Sequence, residues 1–228
     1  MSIETHRVVM GACGWKHMAW LNDFYDDDLP EDWQLGFYSN EFPVVYVPST
    51  DWLVVADLSE WIEDVADSFR FILELPADIL NDDAAYRAAL LKAQGLGELC
   101  LGLVLVIEQT LCDNSSLLQA CIEKAKAVSM VCIDTQNVEL TNSLNNLLKE
   151  NAVSSVWHVN MSDERSLSGA TFALTRIPSQ NVAMPDLRKV LEACLSASNN
   201  ESISVLIFDG EPPLIETIRN ADTLLNLL

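Results

Sequence analysis

The chain has 228 residues, half of them hydrophobic, which is enough to bury a substantial core and excludes an intrinsically disordered protein. Its 34 acidic residues against 13 basic ones give a formal charge of −21, so a nucleic-acid backbone or an anionic membrane surface is excluded as a natural partner. The acidic residues are dispersed, apart from Asp26-Asp27-Asp28, so the charge mainly favours solubility.

The N-terminal stretch MSIETHRVVMG has no basic region leading into an apolar one, and no apolar run reaches the ~18 residues of a spanning helix, so a cytoplasmic location is expected. In chain order, short β-branched runs mark strands at 7–13 (RVVMGAC), 43–49, 69–76, 101–109, 128–135, 154–160, 171–177 and 202–210. Between them the apolar spacing predicts helices over 31–42, 52–66, 83–95, 115–127, 138–152, 184–198 and 212–228. Only the segment after the sixth strand, MSDERSLSG, is too short for one. Asn114-Ser115 and Pro185-Asp186 read as helix starts, and Pro212-Pro213 as the first turn of the last helix.

Strands that are apolar along their whole length belong to a parallel sheet covered on both faces, and eight strand-then-helix units in one series define a compact TIM-like (β/α)₈ barrel. No Pro/Gly/Ser linker interrupts the series, so a single domain over 1–228 is expected. An open doubly wound sheet is the alternative, but GACGWK matches neither dinucleotide nor P-loop spacing. The six cysteines are scattered without a CxxC pair, which predicts buried free thiols rather than disulfides or zinc. No metal and no cofactor are expected.

In such a barrel the chemistry sits at the C-terminal strand ends. Those ends carry Cys13, Trp15, Lys16 and His17; Ser49, Thr50 and Asp51; Glu74; Glu108 and Gln109; Asp134 and Thr135; His158 and Asn160; Arg176; and Asp209. His158 with Glu108 or Asp134 could serve as an acid/base pair, so Asp134 and His158 are the catalytic candidates. A lone histidine on an apolar strand is also a common core residue. His6, before the first strand, should lie at the opposite end. Arg176, within apolar TFALTRIPS, needs either a carboxylate or an anionic ligand, and Glu74 in ILELP is one possible partner. Trp15, Ser49, Thr50, Glu74, Arg176 and Asp209 are the candidate ligand-binding residues. Cys13, near Lys16 and His17, is read as a small residue filling the mouth rather than a nucleophile. The tryptophans of the first 61 residues should pack helices onto the barrel wall.

The 42-residue stretch from Gly11 to Trp52 resembles the opening of the YecE-like family (domain of unknown function 72), a bacterial family of TIM-like barrels. Gly11, Gly14, Trp15, Trp20, Phe24, Tyr25, Leu29, Pro30, Phe42, Val45, Ser49 and Thr50 fall in matching order. Phe69-Arg70-Phe71 looks like the family's third strand, and Phe208 with Asn220, Ala221 and Leu224 like its Phe-Asn-Asn strand and final helix. The departures fall at the mouth. Tyr46 stands where the family has Glu, Pro48 where it has Asn, and Glu74 where it has Lys. Ile133-Asp134-Thr135-Gln136 replaces Glu-Phe-Arg-His, and the seventh strand keeps only Arg176 of Tyr-x-Arg-x-His-Gly.

The resemblance with these losses implies a barrel of depleted ancestral site, acting as a non-catalytic binding or interaction protein. Its mouth is expected to be filled by side chains such as Tyr46 and Trp52, without a convergent charged cluster. The alternative is a hydrolase- or lyase-like enzyme acting on a small anionic or sugar-like substrate at the C-terminal face. The partner is then a small molecule or a protein, with oligomeric state open; the apolar end Leu224-Leu225-Asn226-Leu227-Leu228 offers one surface for a subunit contact.

Overall fold

The computed structural model describes residues 8–136, 138–159, 171–180, 182–198 and 202–228. Nine parallel strands make one sheet: β1 (Val8–Cys13), β2 (Val44–Val47), β3 (Arg70–Leu75), β4 (Cys100–Val106), β5 (Met130–Asp134), β6 (Ser154–Ser155), β7 (Trp157–His158), β8 (Phe172–Pro178) and β9 (Ile203–Asp209). Their order is β6-β5-β4-β3-β2-β1-β9-β8-β7, which never doubles back as a doubly wound sheet would. The two edge pieces are one stretch of chain broken at Val156. β6 pairs with β5 and β7 with β8, while Val156 N–H donates to Ile133 O at 2.8 Å and Val159 N–H to Arg176 O at 2.9 Å. One short stretch thereby bonds to both open edges and closes an eight-stave barrel, as the sequence predicts, with the sixth stave in two pieces. His6, Asn160 and the predicted short segment after the sixth strand lie outside the described residues.

Helices cover the outer wall: α1 (Gln34–Glu41), α2 (Ser49–Trp52), α3 (Ser59–Asp64), α4 (Ala77–Asn81), α5 (Asp83–Gln94), α6 (Gln109–Cys112), α7 (Ser115–Lys126), α8 (Asn142–Glu150), α9 (Met184–Ala197) and α10 (Ile215–Leu225). The Asn114 side chain caps α7 by accepting from Leu117 N–H, and Pro185 sits in the first turn of α9, as expected. Several helix boundaries differ: α1 begins at Gln34 instead of residue 31, and α8 at Asn142 instead of residue 138, where the Thr141 hydroxyl caps it by accepting from Leu144 N–H. The segment 52–66 divides into α2 and α3, and Lys92 secures the break by donating to the carbonyls of Trp52, Leu53 and Val55. The last helix begins at Ile215, after Pro212-Pro213 instead of on them, because Ser179 Oγ takes the Leu214 N–H and holds the chain in a turn first. No helix among the described residues is long and apolar enough to cross a membrane.

Alternation along the strands sorts side chains into two cores. The outer core lies between sheet and helices and holds Trp15, Trp20, Trp52 and Trp61, all buried; Trp33 breaks the expectation and is 68% exposed. The inner core fills the barrel with Val44, Tyr46, Ile72, Val104, Cys132, Val156, Phe172, Leu174, Val205 and Ile207. All six cysteines are free thiols, and Cys13 and Cys112 are half-buried where the other four are buried.

The opening Gly-x-x-Gly serves as architecture. Gly14 has φ +74°, which lets the chain turn sharply out of β1. A Cβ on Gly11 would lie 1.8 Å from the Val44 carbonyl oxygen and 3.0 Å from the Tyr38 hydroxyl. That hydroxyl is wedged between the strands, accepting from Ala12 N–H at 2.7 Å and donating to Val44 O at 3.0 Å. Because backbone atoms set the clash, Gly11→Ala should cost more than about 3 kcal/mol of stability or prevent folding, measured by urea denaturation with circular dichroism. A change within half a kcal/mol would refute the close approach.

Candidate site at the C-terminal mouth of the barrel

The barrel lining is apolar until its last layer. There, alternation brings Cys13, Tyr46, Glu74, Asp134, His158, Arg176 and Asp209 to the C-terminal strand ends, where side chains from several strands converge. The mouth without a convergent charged cluster, expected from the sequence, is therefore not what the chain builds. The expected ionic residues are present and bind one another.

Arg176 is the centre. Its guanidinium lies 4.5 Å over the Tyr46 ring and meets Asp209 side-on: Nε donates to Oδ2 at 3.0 Å and Nη2 to Oδ1 at 2.7 Å. A bidentate carboxylate and a π face together offset the desolvation of a half-buried cation. Burial alone would lower the guanidinium's proton affinity, but the bonds to Asp209 and the surrounding negative charge more than reverse that, so Arg176 stays charged. Glu74, proposed from the sequence as its partner, instead accepts from the Tyr46 hydroxyl at 2.6 Å and from Ser49 Oγ at 2.9 Å and N–H at 3.3 Å. The reason is register: Asp209 lies on the neighbouring strand β9, beside Pro178, whereas Glu74 lies on β3.

Asp134 and His158 form the second pair. Nε2 of His158 lies 3.0 Å from each Asp134 oxygen, and Asp134 Oδ1 also accepts from Gln136 N–H at 3.0 Å. Burial pushes the Asp134 carboxyl up, but the His158 and Gln136 hydrogen bonds prevail and hold it below the usual carboxylate range. Cys13 Sγ is 3.9 Å from Arg176 Nη2, yet burial pushes the thiol up to about 12, so it is a protonated filler rather than a nucleophile.

Other candidates take positions beside this cluster. Ser49 joins it through Glu74. Exposed Thr50 turns to Asp51 at 3.0 Å. Trp15 is buried edge-on against Trp61 at 4.9 Å. Lys16 pairs with Glu31 at 3.0 Å. His17 binds the Cys13 carbonyl at 2.9 Å, and burial lowers its proton affinity. Trp52 supports the mouth from outside by donating its indole N–H to the Glu74 carbonyl at 2.8 Å. Tyr46 is the residue whose role the sequence did not reveal: it is platform for Arg176 and donor to Glu74. Its signal was a wide aromatic inside PVVYVPS two residues before a proline. No group of three or more His, Cys, Asp and Glu side chains disposed to hold a metal ion occurs among the described residues.

Fold and site together define a TIM-like barrel with a polar C-terminal mouth. The model of a family of proteins of unknown function, DUF72, matches residues 9–227, and the chain belongs to that family. A crystal structure of a DUF72 family protein from Thermotoga maritima superposes with a TM-score of 0.74, covering 97% of this chain and 99% of that one, at 12% identity, which supports the fold alone. No curated protein matches the sequence.

Tyr46→Phe keeps the ring under Arg176 but strips a donor from a half-buried carboxylate; it should cost about 1–2 kcal/mol in urea denaturation, and an unchanged midpoint would refute the Tyr46–Glu74 bond. Because the Asp134 carboxyl is depressed in the fold, its contribution is present above the ordinary value near ~3.9 and lost as pH falls through the folded value. The stability advantage of the native protein over Asp134→Asn should therefore shrink below about pH 4. A difference that stays constant through that range would contradict the pairing.

Proposed function

We propose that this barrel is a non-catalytic binding protein whose ligand or partner meets the C-terminal mouth. The observation that supports the reading is the mutual consumption of the charged groups: the Arg176 fork and stacking face, both Glu74 oxygens and both Asp134 oxygens are each occupied by another mouth residue. A catalytic site keeps groups free to take up charge or protons as a reaction proceeds. Here the strongest anion-binding group is neutralised before a ligand arrives. The depletion implied by the family resemblance agrees with this, since it removes acid/base groups from the same mouth.

A cytoplasmic setting belongs to the same proposal, supported by six unpaired cysteines. The charge of −21 supports a partner that is neither nucleic acid nor membrane.

One observation favours a second reading. Asp134 orients His158 as a carboxylate orients a general base, so a hydrolase- or lyase-like enzyme acting on a small anionic or sugar-like substrate would use His158 as acid/base and Asp134 as its positioning partner. The two readings separate when native protein is incubated with a cell metabolite extract and the extract is profiled by mass spectrometry. The binding reading predicts compounds retained by the protein and released unchanged. A compound consumed over many turnovers by the native protein, and spared by His158→Asn, would replace it with the enzyme reading.

A further inference from the structure

Resting on the binding reading, the mouth's hydrogen bonds also narrow the class of ligand. Two groups are unspent among the described residues. Arg176 approaches Asp209 through Nε and Nη2, so the two N–H groups of Nη1 have no acceptor there. His158 commits Nε2 to the Asp134 carboxylate. An ionised carboxylate only accepts, so Nε2 carries a proton, and in the neutral tautomer that this selects, Nδ1 is an acceptor without a partner among the described residues. His158 and Arg176 are direct cross-strand partners on β7 and β8, which sets their backbones about 4.8 Å apart. Neighbouring strands of the mouth therefore carry a pair of donors and an acceptor, with both side chains partly open to solvent, 21% for His158 and 17% for Arg176.

Charge decides what fits them. Glu74, Asp134 and Asp209 oppose the single guanidinium of Arg176, so the mouth stays net negative even with a second proton on His158, and an anion is disfavoured. A metal cation needs several such ligands turned together on one point, and no group of three or more His, Cys, Asp and Glu side chains among the described residues is so disposed. A neutral hydroxyl meets both requirements at once: its proton goes to Nδ1 while it or its neighbour accepts from Nη1. We propose that the mouth binds a neutral polyhydroxylated molecule, a sugar or polyol, through adjacent hydroxyls held between His158 Nδ1 and Arg176 Nη1.

The test is a titration of the ¹⁵N-labelled full chain, following the His158 ring and Arg176 guanidinium nitrogens by NMR. The probes are D-ribose, D-glucose, D-glucitol and myo-inositol, with inorganic phosphate and glycolate in parallel. The proposal expects at least one polyol to shift both residues saturably and the anions to shift neither. It also expects His158→Asn, which keeps a donor for Asp134 but removes the distal acceptor, to weaken that binding about tenfold. Saturable shifts from the anions alone would overturn the ligand class while leaving a binding mouth. Polyol binding that moves other residues, or that His158→Asn does not weaken, would overturn the assigned pair. Silence from both sets of probes would overturn the assigned pair and ligand class, while the binding reading stands or falls on the metabolite-extract test. The wild-type titration decides these outcomes even if the variant fails to fold.

Discussion

A guanidinium at the top of an apolar barrel is the constraint from which the rest of the mouth follows. Below Arg176 the lining is Leu174, Val205, Ile207 and their neighbours, which offer a cation nothing. Arg176 is sustained by what lies beside it: the Asp209 fork on β9 and the Tyr46 ring. Tyr46 can lie flat beneath the guanidinium only if its hydroxyl finds an acceptor, which Glu74 supplies. Glu74 in turn is held by Ser49 at the start of α2, whose last residue, Trp52, is tied by its indole to the Glu74 backbone. A single cation thus organises three strands and one helix turn, and it does so without leaving its fork for a ligand.

This chain of dependence gives the family departures a physical meaning. The resemblance implies Glu and Lys at the positions of Tyr46 and Glu74, a potential ion pair. Here the same two places hold a short hydrogen bond between a phenol and a carboxylate. It likewise implies Asn after the phenylalanine of the final strand, where this chain has Asp209 after Phe208. Exchanging an amide for a carboxylate beside the retained Arg176 turns a group available to an anion into half of an internal ion pair. The three changes look unrelated along the sequence and form one connected network in space.

Most of the fold was legible in the sequence because parallel strands covered on both faces are apolar from end to end, and all eight predicted staves exist. The break at Val156 was not, since SSVWHVN has the composition of one continuous strand and divides only because its two ends pair with different neighbours. The start of α10 escaped for a similar reason: Ser179, 35 residues away, takes the Leu214 N–H. At the site, polar residues could be named from their place at the predicted strand ends, which is why Glu74, Asp134, His158, Arg176 and Asp209 were candidates. Who binds whom could not. That Arg176 takes Asp209 rather than Glu74 depends on which strands are neighbours, a property of the closed sheet and not of any local pattern. Trp33 illustrates the converse, an indole that composition assigns to the wall and the fold leaves in solvent.

The claim on which the account stands is that the Nε–Nη2 fork of Arg176 is committed to Asp209. A double-mutant cycle in urea denaturation, with Arg176→Met, Asp209→Leu and the combination, tests it most directly. The account predicts two costly single changes, a coupling energy of at least about 1.5 kcal/mol, and a double variant more stable than either single one, because each change alone leaves a half-buried charge without its partner. Losses that add within about half a kcal/mol would mean that the two residues stand independently, and that the Arg176 guanidinium is held for something else.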